Sequence, residues 1–396
     1  MLIHWLWFSQ LDKITPRQKG LLLEHFSDPE EIYCAQERTL AAIDGLREET
    51  LAALENKDLS GAEVVADACR KQHINILTYR DAAYPSRLRN IADPPVVLYY
   101  SGVLPDFDSQ PVIAVVGTRK ATPYGISAAK NMAAQMACCG ALVISGGATG
   151  IDTAAMEMAV ATGNSTVAVL GGGVDIIYPA HNRELYGKVV RNGCLLSEYP
   201  PGTKPTRWSF PQRNRILSGL SHGVLVVEAP QKSGALITAR DAIEQGRDVY
   251  AVPGNIDSEA CEGSNALLRD GAIPALGGWD VLRNFEGRFS CVKQREVRLI
   301  SQTQPAPEAP LPRAKEPVTD KKVIDKPTNS PYSGILDFSE QEQKILACLT
   351  KEPISVDALL SRVDLPAPVV LRTLTMLSVK GAVIQHSGRN VSANLK

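Results

Sequence analysis

A doubly wound parallel α/β sheet, preceded by a helical segment and followed by a winged helix, is the fold class the sequence predicts. Three observations predict it. From Pro111 to Val252, short β-branched runs alternate with helical stretches. Several of those runs end in loops that carry glycine. A stretch rich in proline and charge then separates a tail of helical segments and a hairpin. At 396 residues the chain exceeds one ordinary domain, so two or three are expected: helical over 1–105, α/β over 106–290, a linker over 291–335 and a winged helix over 336–396.

In the first segment, Pro16-Arg17-Gln18-Lys19 opens a helix whose Leu21, Leu22, His25 and Phe26 share one face. Asp28-Pro29-Glu30-Glu31 supplies an N-cap, a proline at the first helical position and early carboxylates for the next. Further helices are expected near 37–44, 48–55 and 61–72. The spacing is that of a small helical-hairpin (SAM-like) bundle, and two uses are open to it: contact with a DNA backbone, or packing and self-association.

The expected strands of the central domain are Val112–Val116, Ala141–Ile144, Thr166–Leu170, Cys194–Ser197, Gly223–Val227 and Asp248–Val252, with helices near 123–138, 151–161, 182–191, 211–219 and 235–245. The strands are near-continuous apolar runs, as in a parallel sheet covered on both faces. Alternation at this spacing makes the domain Rossmann-like.

Seven prolines fall between Pro305 and Pro331 among Lys, Glu and Asp. Such a stretch cannot bury enough apolar surface to order itself, so 291–335 is expected to be a disordered linker. Beyond it, Ser339 caps a helix through Leu349, with Glu342 at the capping-box position. Helices at 355–362 and 367–379, a strand at Ala382–Gln385, a turn at 387–390 and a last strand complete a winged helix. Its recognition helix offers only Arg372 and the trailing Lys380, thin for a groove reader. Protein contact is the equal alternative, and a duplex-reading transcriptional regulator is disfavoured.

Composition excludes several classes. Net charge is −1, so attraction to a polyanion must come from local clusters of cations. The eight cysteines form no CxxC and have no histidine at zinc spacing, which points to free thiols in a reducing compartment and to no metal site. Met1–Phe8 is apolar but short and lacks a basic start. No run approaches the ~20 apolar residues of a membrane span. A cytoplasmic protein without membrane contact is expected.

Ligands of a doubly wound sheet bind at the carboxyl ends of its strands. Here those ends carry Gly117-Thr118-Arg119-Lys120, Ser145-Gly146-Gly147-Ala148-Thr149-Gly150, Gly171-Gly172-Gly173 and Pro253-Gly254-Asn255. Glycine lets a backbone approach a bulky anion, and the following helix N-terminus favours phosphate. One such loop needs no ligand to explain it, but several on one edge argue for anion binding. GxxxxGK[ST] and GxGxxG do not occur, so a bound nucleotide cofactor is not expected. Arg119 brings a guanidinium to the place of a phosphate, suited to bidentate contact.

From Glu198 to Glu228 there is no intervening carboxylate, while Lys204, Arg207, Arg213 and Arg215 supply cations interleaved with Trp208 and Phe210. Cations for phosphates and aromatics for bases compose a single-strand platform. Arg215 paired with a core carboxylate, or Trp208 simply packing, is the alternative, and one of the four cations is expected to be structural. Lys232-Ser233-Gly234 opens a helix either as a plain cap or as a cap with an anion on its free N–H groups. His181, His222 and the other histidines lack a Ser, Cys or carboxylate partner at a recognised spacing, so no catalytic residue is assigned and a non-enzymatic role is expected.

Taken together, Gly117-Thr-Arg119, Ser145-Gly-Gly-Ala-Thr-Gly-Ile-Asp152, Leu170-Gly-Gly-Gly-Val-Asp-Ile-Ile-Tyr-Pro179, Phe210-Pro-Gln-Arg-Asn-Arg-Ile-Leu-Ser-Gly-Leu220, Ser233-Gly-Ala-Leu-Ile-Thr238 and Val252-Pro-Gly254 closely resemble the DNA-processing protein A (DprA, Smf) family, over about 80–285. The resemblance implies a homodimer, joined through the Rossmann-like domain, that binds incoming single-stranded DNA in natural transformation. It would protect that strand and help load the RecA recombinase, displacing single-strand-binding protein. It carries the family's site onto Gly117, Thr118 and Arg119, onto Phe210, Pro211, Arg213 and Asn214 with Arg207 three residues ahead, and onto Ser233 and Gly234. The complete expected interface adds Ser145, Gly146, Gly147 and Arg215 from the loops and the acid-free run. The runner-up is a phosphoribohydrolase-like nucleotide-processing enzyme. Such enzymes usually join a PGGxGTxxE loop to a catalytic Glu, but here Gly146–Gly150 leads into Ile151-Asp152.

Overall fold

The computed structural model describes residues 2–295 without a break, then 340–350, 353–363 and short stretches between 365 and 394. The chain divides into two compact units, Met1–Pro305 and Ala306–Lys396. Most of the expected linker, the Ser339 cap, Arg372 and Lys380 lie outside the described residues.

The first unit opens with α1 (Leu2–Gln10), α2 (Pro16–His25), α3 (Pro29–Cys34), α4 (Glu37–Ala41), α5 (Glu48–Leu54) and α6 (Ser60–Lys71). In α1, Trp5, Leu6, Trp7 and Phe8 are all buried, as a helix apolar around most of its circumference must be. The next two helices begin as the chemistry of their caps dictates. Thr15 Oγ1 accepts from the Gln18 amide and Asp28 Oδ1 from the Glu30 amide, each with proline at the first helical position.

The helical reading of 1–105 fails in two places. β1 (Asn75–Thr78) and, after the single turn α7 (Ser86–Arg89), β2 (Val97–Gly102) join the main sheet as an antiparallel edge. Val97-Leu98-Tyr99-Tyr100 is β-branched and aromatic and follows Pro94-Pro95, a pattern that favours a strand.

The parallel body then follows: β3 (Val112–Val116), α8 (Pro123–Cys138), β4 (Leu142–Ser145), α9 (Ile151–Ala161), β5 (Thr166–Val169), α10 (Arg183–Asn192), β6 (Cys194–Ser197), α11 (Ser209–Leu220), β7 (Gly223–Val226), α12 (Gly234–Glu244), β8 (Asp248–Ala251), α13 (Glu262–Arg269), β9 (Ile273–Pro274) and α14 (Gly278–Leu282). The sheet order is β1-β2-β6-β5-β4-β3-β7-β8-β9. Ladders from β6 to β9 are all parallel. From β3 the chain winds outward through β4, β5 and β6, then returns to β3's other side for β7. The switch point therefore lies between β3 and β7, where such sheets hold their ligands. β3 is buried along its whole length. Ile113 and Val115 join the core containing α8, α9 and α14, and Val112, Ala114 and Val116 join the core containing α11 and α12.

The second unit is a C-terminal winged helix. It contains α15 (Glu340–Ala347), β10 (Ile354–Ser355), α16 (Val356–Leu360), β11 (Val383–His386) and β12 (Asn390–Ala393), with the strands in the antiparallel order β10-β12-β11. Ile345, Leu359, Leu374, Leu377 and Val391 form its core. Among the described residues no helix is long and apolar enough to cross a membrane.

Candidate nucleic-acid interface

At the carboxyl end of β3 the chain must leave the sheet between α9 and the end of β7. Gly117 fits there because a Cβ would run into the Ile151 side chain and the Glu228 carbonyl. The Thr118 amide donates to Glu228 O at 2.7 Å. The Glu228 carboxylate, fully buried, accepts from the Thr122 amide at 2.8 Å and from Thr122 Oγ1 at 2.6 Å. The loop is thus clamped at both ends, and Arg119 between them stands exposed. Its Cζ lies 4.9 Å from the Phe210 ring centroid, and the Tyr178 ring stacks 5.6 Å from the same centroid at 35°.

Beyond β4 the chain turns at Gly147 and Gly150, both at positive φ, where a side chain would strain the backbone. Ser145 does not face this surface. It is fully buried, and its Oγ donates to Val115 O at 2.7 Å, tying β4 to β3. The expectation that Ser145 meets nucleic acid is therefore corrected: its hydroxyl is used inside the sheet.

Arg213, on α11, is 5% exposed. Its guanidinium donates to Gly146 O at 2.6 Å and to Val169 O, joining the loop after β4 to the end of β5. Burial lowers its pKa, opposed by Asp152. Burial pushes the Asp152 carboxyl up to about 6, moderated by the Arg213 charge and by hydrogen bonds from the glycine loop. Arg213 thus shapes the cleft from beneath. The neighbouring Asn214 accepts from Arg213 Nε and donates to Gly234 O, extending the brace to the start of α12.

Arg215 points elsewhere. Its side chain is 12% exposed and pairs with Glu198 at 2.6 Å and Asp93 at 3.2 Å. Those carboxylates lie outside the acid-free run, which is how a chain without nearby acids still satisfies this guanidinium. Arg215 is corrected from a nucleic-acid contact to a structural ion pair.

Of the run's cations and aromatic rings, Lys204, Arg207 and Trp208 are exposed. Arg207 Cζ sits 4.8 Å from the Trp208 ring, and Trp208 is 67% exposed. At the end of β7, Lys232 is exposed and Ser233 Oγ accepts from the Ala235 amide, capping α12. A cleft of about 620 Å³ brings together Gly117, Thr118, Arg119, Arg207, Phe210 and Ser233, with Gly234 and Lys232 on its far wall and Arg213 and Asn214 beneath. It continues past Tyr178 into a smaller hollow over Gly146, Gly147 and Gly171. No signal in the sequence revealed the roles of Tyr178, in the loop that follows β5, and Glu228, just past the end of β7. Among the described residues no three His, Cys, Asp or Glu side chains gather as a metal cluster.

Fold and site define a class: a Rossmann-like protein whose switch point is lined by arginines and aromatic rings in place of a nucleotide motif. The chain belongs to the DNA recombination-mediator protein A (DprA/Smf) family, whose model matches residues 75–286, and a DprA winged-helix model matches 325–389. Protein Smf of Synechocystis is 33% identical over 97% of both chains. DNA processing protein DprA of Streptococcus pneumoniae is 42% identical over 52% of this chain and 72% of its own length. Its solved structure superposes with a TM-score of 0.60 at 35% identity, covering 71% of this chain and 96% of that one. DNA processing protein A of Helicobacter pylori, solved for its single-stranded DNA binding mode, gives 0.50 at 29% identity over 55% and 97%.

Proposed function

We propose that this recombination mediator binds unpaired DNA in the cleft, with phosphates on Arg119, Arg207 and Lys232 and bases stacked on Trp208 and beside Phe210 and Tyr178. The observation that carries this reading is the pairing of exposed cations with aromatic rings, Arg119 on Phe210 within the cleft and Arg207, which also lines it, on the neighbouring Trp208. Every base has a π-face, so such a surface accepts any sequence. A duplex hides those faces within its stack. The glycine loops and Ser233 would carry backbone N–H contacts, while Arg213 and Asn214 hold the loops in place.

Family membership supports the wider role: protecting a single strand, displacing single-strand-binding protein and assisting a RecA-type recombinase, as a cytoplasmic homodimer joined through the Rossmann-like domain. This is a binding role and not catalysis. The deciding experiment titrates single- and double-stranded oligonucleotides of equal length over a salt series. Preference for the single strand, with log affinity falling linearly against log salt, is expected. Equal or greater affinity for the duplex would refute the proposal.

A further inference from the structure

A second group of cations gathers at the opposite ends of the same strands. Near the start of β3 and β7 and just before β8, a surface pocket of about 370 Å³ is lined by Arg87, Arg247 and Arg288, with Ser86 and Asn90 beside them and His222 buried at its floor. β3 has five residues, which at ~3.3 Å each puts about 17 Å of strand between this pocket and the cleft.

The three guanidinium groups line the pocket together, Arg288 with its Cζ 5.6 Å from the Phe289 ring centroid. Among the described residues none of them lies within ion-pair distance of a carboxylate. Asp108, which also lines the pocket, accepts from the Ser86 amide at 3.2 Å and hydroxyl at 2.8 Å. The exposed Asp248 is the other carboxylate that Arg87 senses. Burial, then Arg247 and Arg288, lower the Arg87 pKa to about 10.

His222 adds no positive charge. Its Nδ1 accepts from the Val112 amide at 3.0 Å, and its ring packs edge-on against Phe285 and Phe289. Burial, followed by the three arginines, drives its pKa to about 3. Arg247 braces the fold with one nitrogen, donating to Arg87 O and Gly219 O, yet its Nε is buried without a hydrogen-bond partner. Like charges held this close are unfavourable until an anion joins them. Planar donor forks beside a hydroxyl and an amide suit a tetrahedral oxyanion.

We propose that this pocket is a second phosphate site, separate from the cleft, filled by a backbone phosphate of nucleic acid or by free phosphate. The test is arginine footprinting of the full chain with phenylglyoxal at constant ionic strength, read by mass spectrometry. Chloride, inorganic phosphate and a dT oligonucleotide are compared.

Modification of Arg87 and Arg288 should slow about tenfold once the anion stands at ten times its half-protecting concentration, while the exposed Arg240 and Arg269 keep their rates. Slowing by phosphate identifies a free-anion site. Slowing by the oligonucleotide alone identifies a strand contact, and both outcomes support the proposal. Equal rates in all three solutions, or equal slowing at Arg240 and Arg269, would overturn it. Arg87→Gln, which removes no hydrogen bond of the fold described above, should weaken the phosphate affinity read at Arg288 about tenfold. Unchanged affinity would show that the three groups do not share one anion.

Discussion

Arg213→Ala is the perturbation that best separates shaping the cleft from contacting the ligand. In the folded protein this guanidinium is buried and holds Gly146 O and Val169 O, with Asp152 as its charge partner. Truncation strands two carbonyls and a buried carboxylate. Leaving a buried carbonyl unsatisfied costs about 1–3 kcal/mol, and Asp152, coupled to Arg213 through charge without a direct ion pair, loses a longer-range attraction besides.

The loss should depend on pH. The Asp152 carboxyl has a folded pKa of about 6 against an ordinary 3.8. A raised carboxyl contributes stability that is complete below the unfolded value and is lost as pH climbs through the folded one. Without Arg213 the raising force of burial is less opposed, so the variant should lose more at about pH 7.5 than at about pH 5.

All four tryptophans, Trp5, Trp7, Trp208 and Trp279, lie in the first unit, so fluorescence during denaturant unfolding reads that unit alone. Arg213→Lys should recover only part of the loss, since an ammonium lacks the fork that spans two carbonyls. A loss below about 1 kcal/mol, or one equal at both pH values, would refute the bracing role and free Arg213 for phosphate.

Three further outcomes follow from the same geometry. Arg119→Ala should weaken oligo-dT binding by about 1–3 kcal/mol and reduce the salt slope by about one, measured by titration across salt. An unchanged slope would remove Arg119 from the phosphate path. Trp208→Ala should leave thermal stability within about 0.5 kcal/mol, because the ring is 67% exposed. It should lower single-strand affinity by about 1–3 kcal/mol through lost stacking, and equal affinity would show that the ring is not a platform. Arg215→Met should destabilise the first unit by about 1–3 kcal/mol, because Glu198 and Asp93 are 25% and 39% exposed and water partly replaces the lost guanidinium, with no change in salt slope. A flattened slope would return Arg215 to the interface.

The parallel body was legible because its strands are short apolar runs separated by helices, and Val112–Val116 and Cys194–Ser197 emerge at the predicted bounds. The antiparallel edge was not. Asn75–Thr78 is four residues long and half exposed, too short for periodicity to tell a strand from a helix end. β9, two residues long, gives less signal still. Caps were readable where their chemistry is local, as at Asp28 and Ser233, since the acceptor and the amide it satisfies lie two residues apart. Glu228 was unreadable as a clamp because its partner Thr122 is 106 residues away.

The same distinction governs the site. A run free of acids looks uniformly available to phosphate when read along the chain, since neighbours in sequence are the only partners in view. Folding brings in others: the helix that carries Arg213 and Arg215 turns the first under the glycine loops and the second toward Glu198 and Asp93. Residues two apart on a helix do not share a face, so these two could not both line one cleft with their guanidinium groups. Arg207 precedes the helix and Arg119 sits in a clamped loop, which leaves both guanidinium groups free over aromatic rings. Composition indicated where phosphate chemistry gathers. Helical phase decided which cations remain to perform it, and a groove stripped of its exposed cations by Arg119→Ala, Arg207→Ala and Lys232→Ala together, yet still gripping single strands with full salt dependence, would show that this division is wrong.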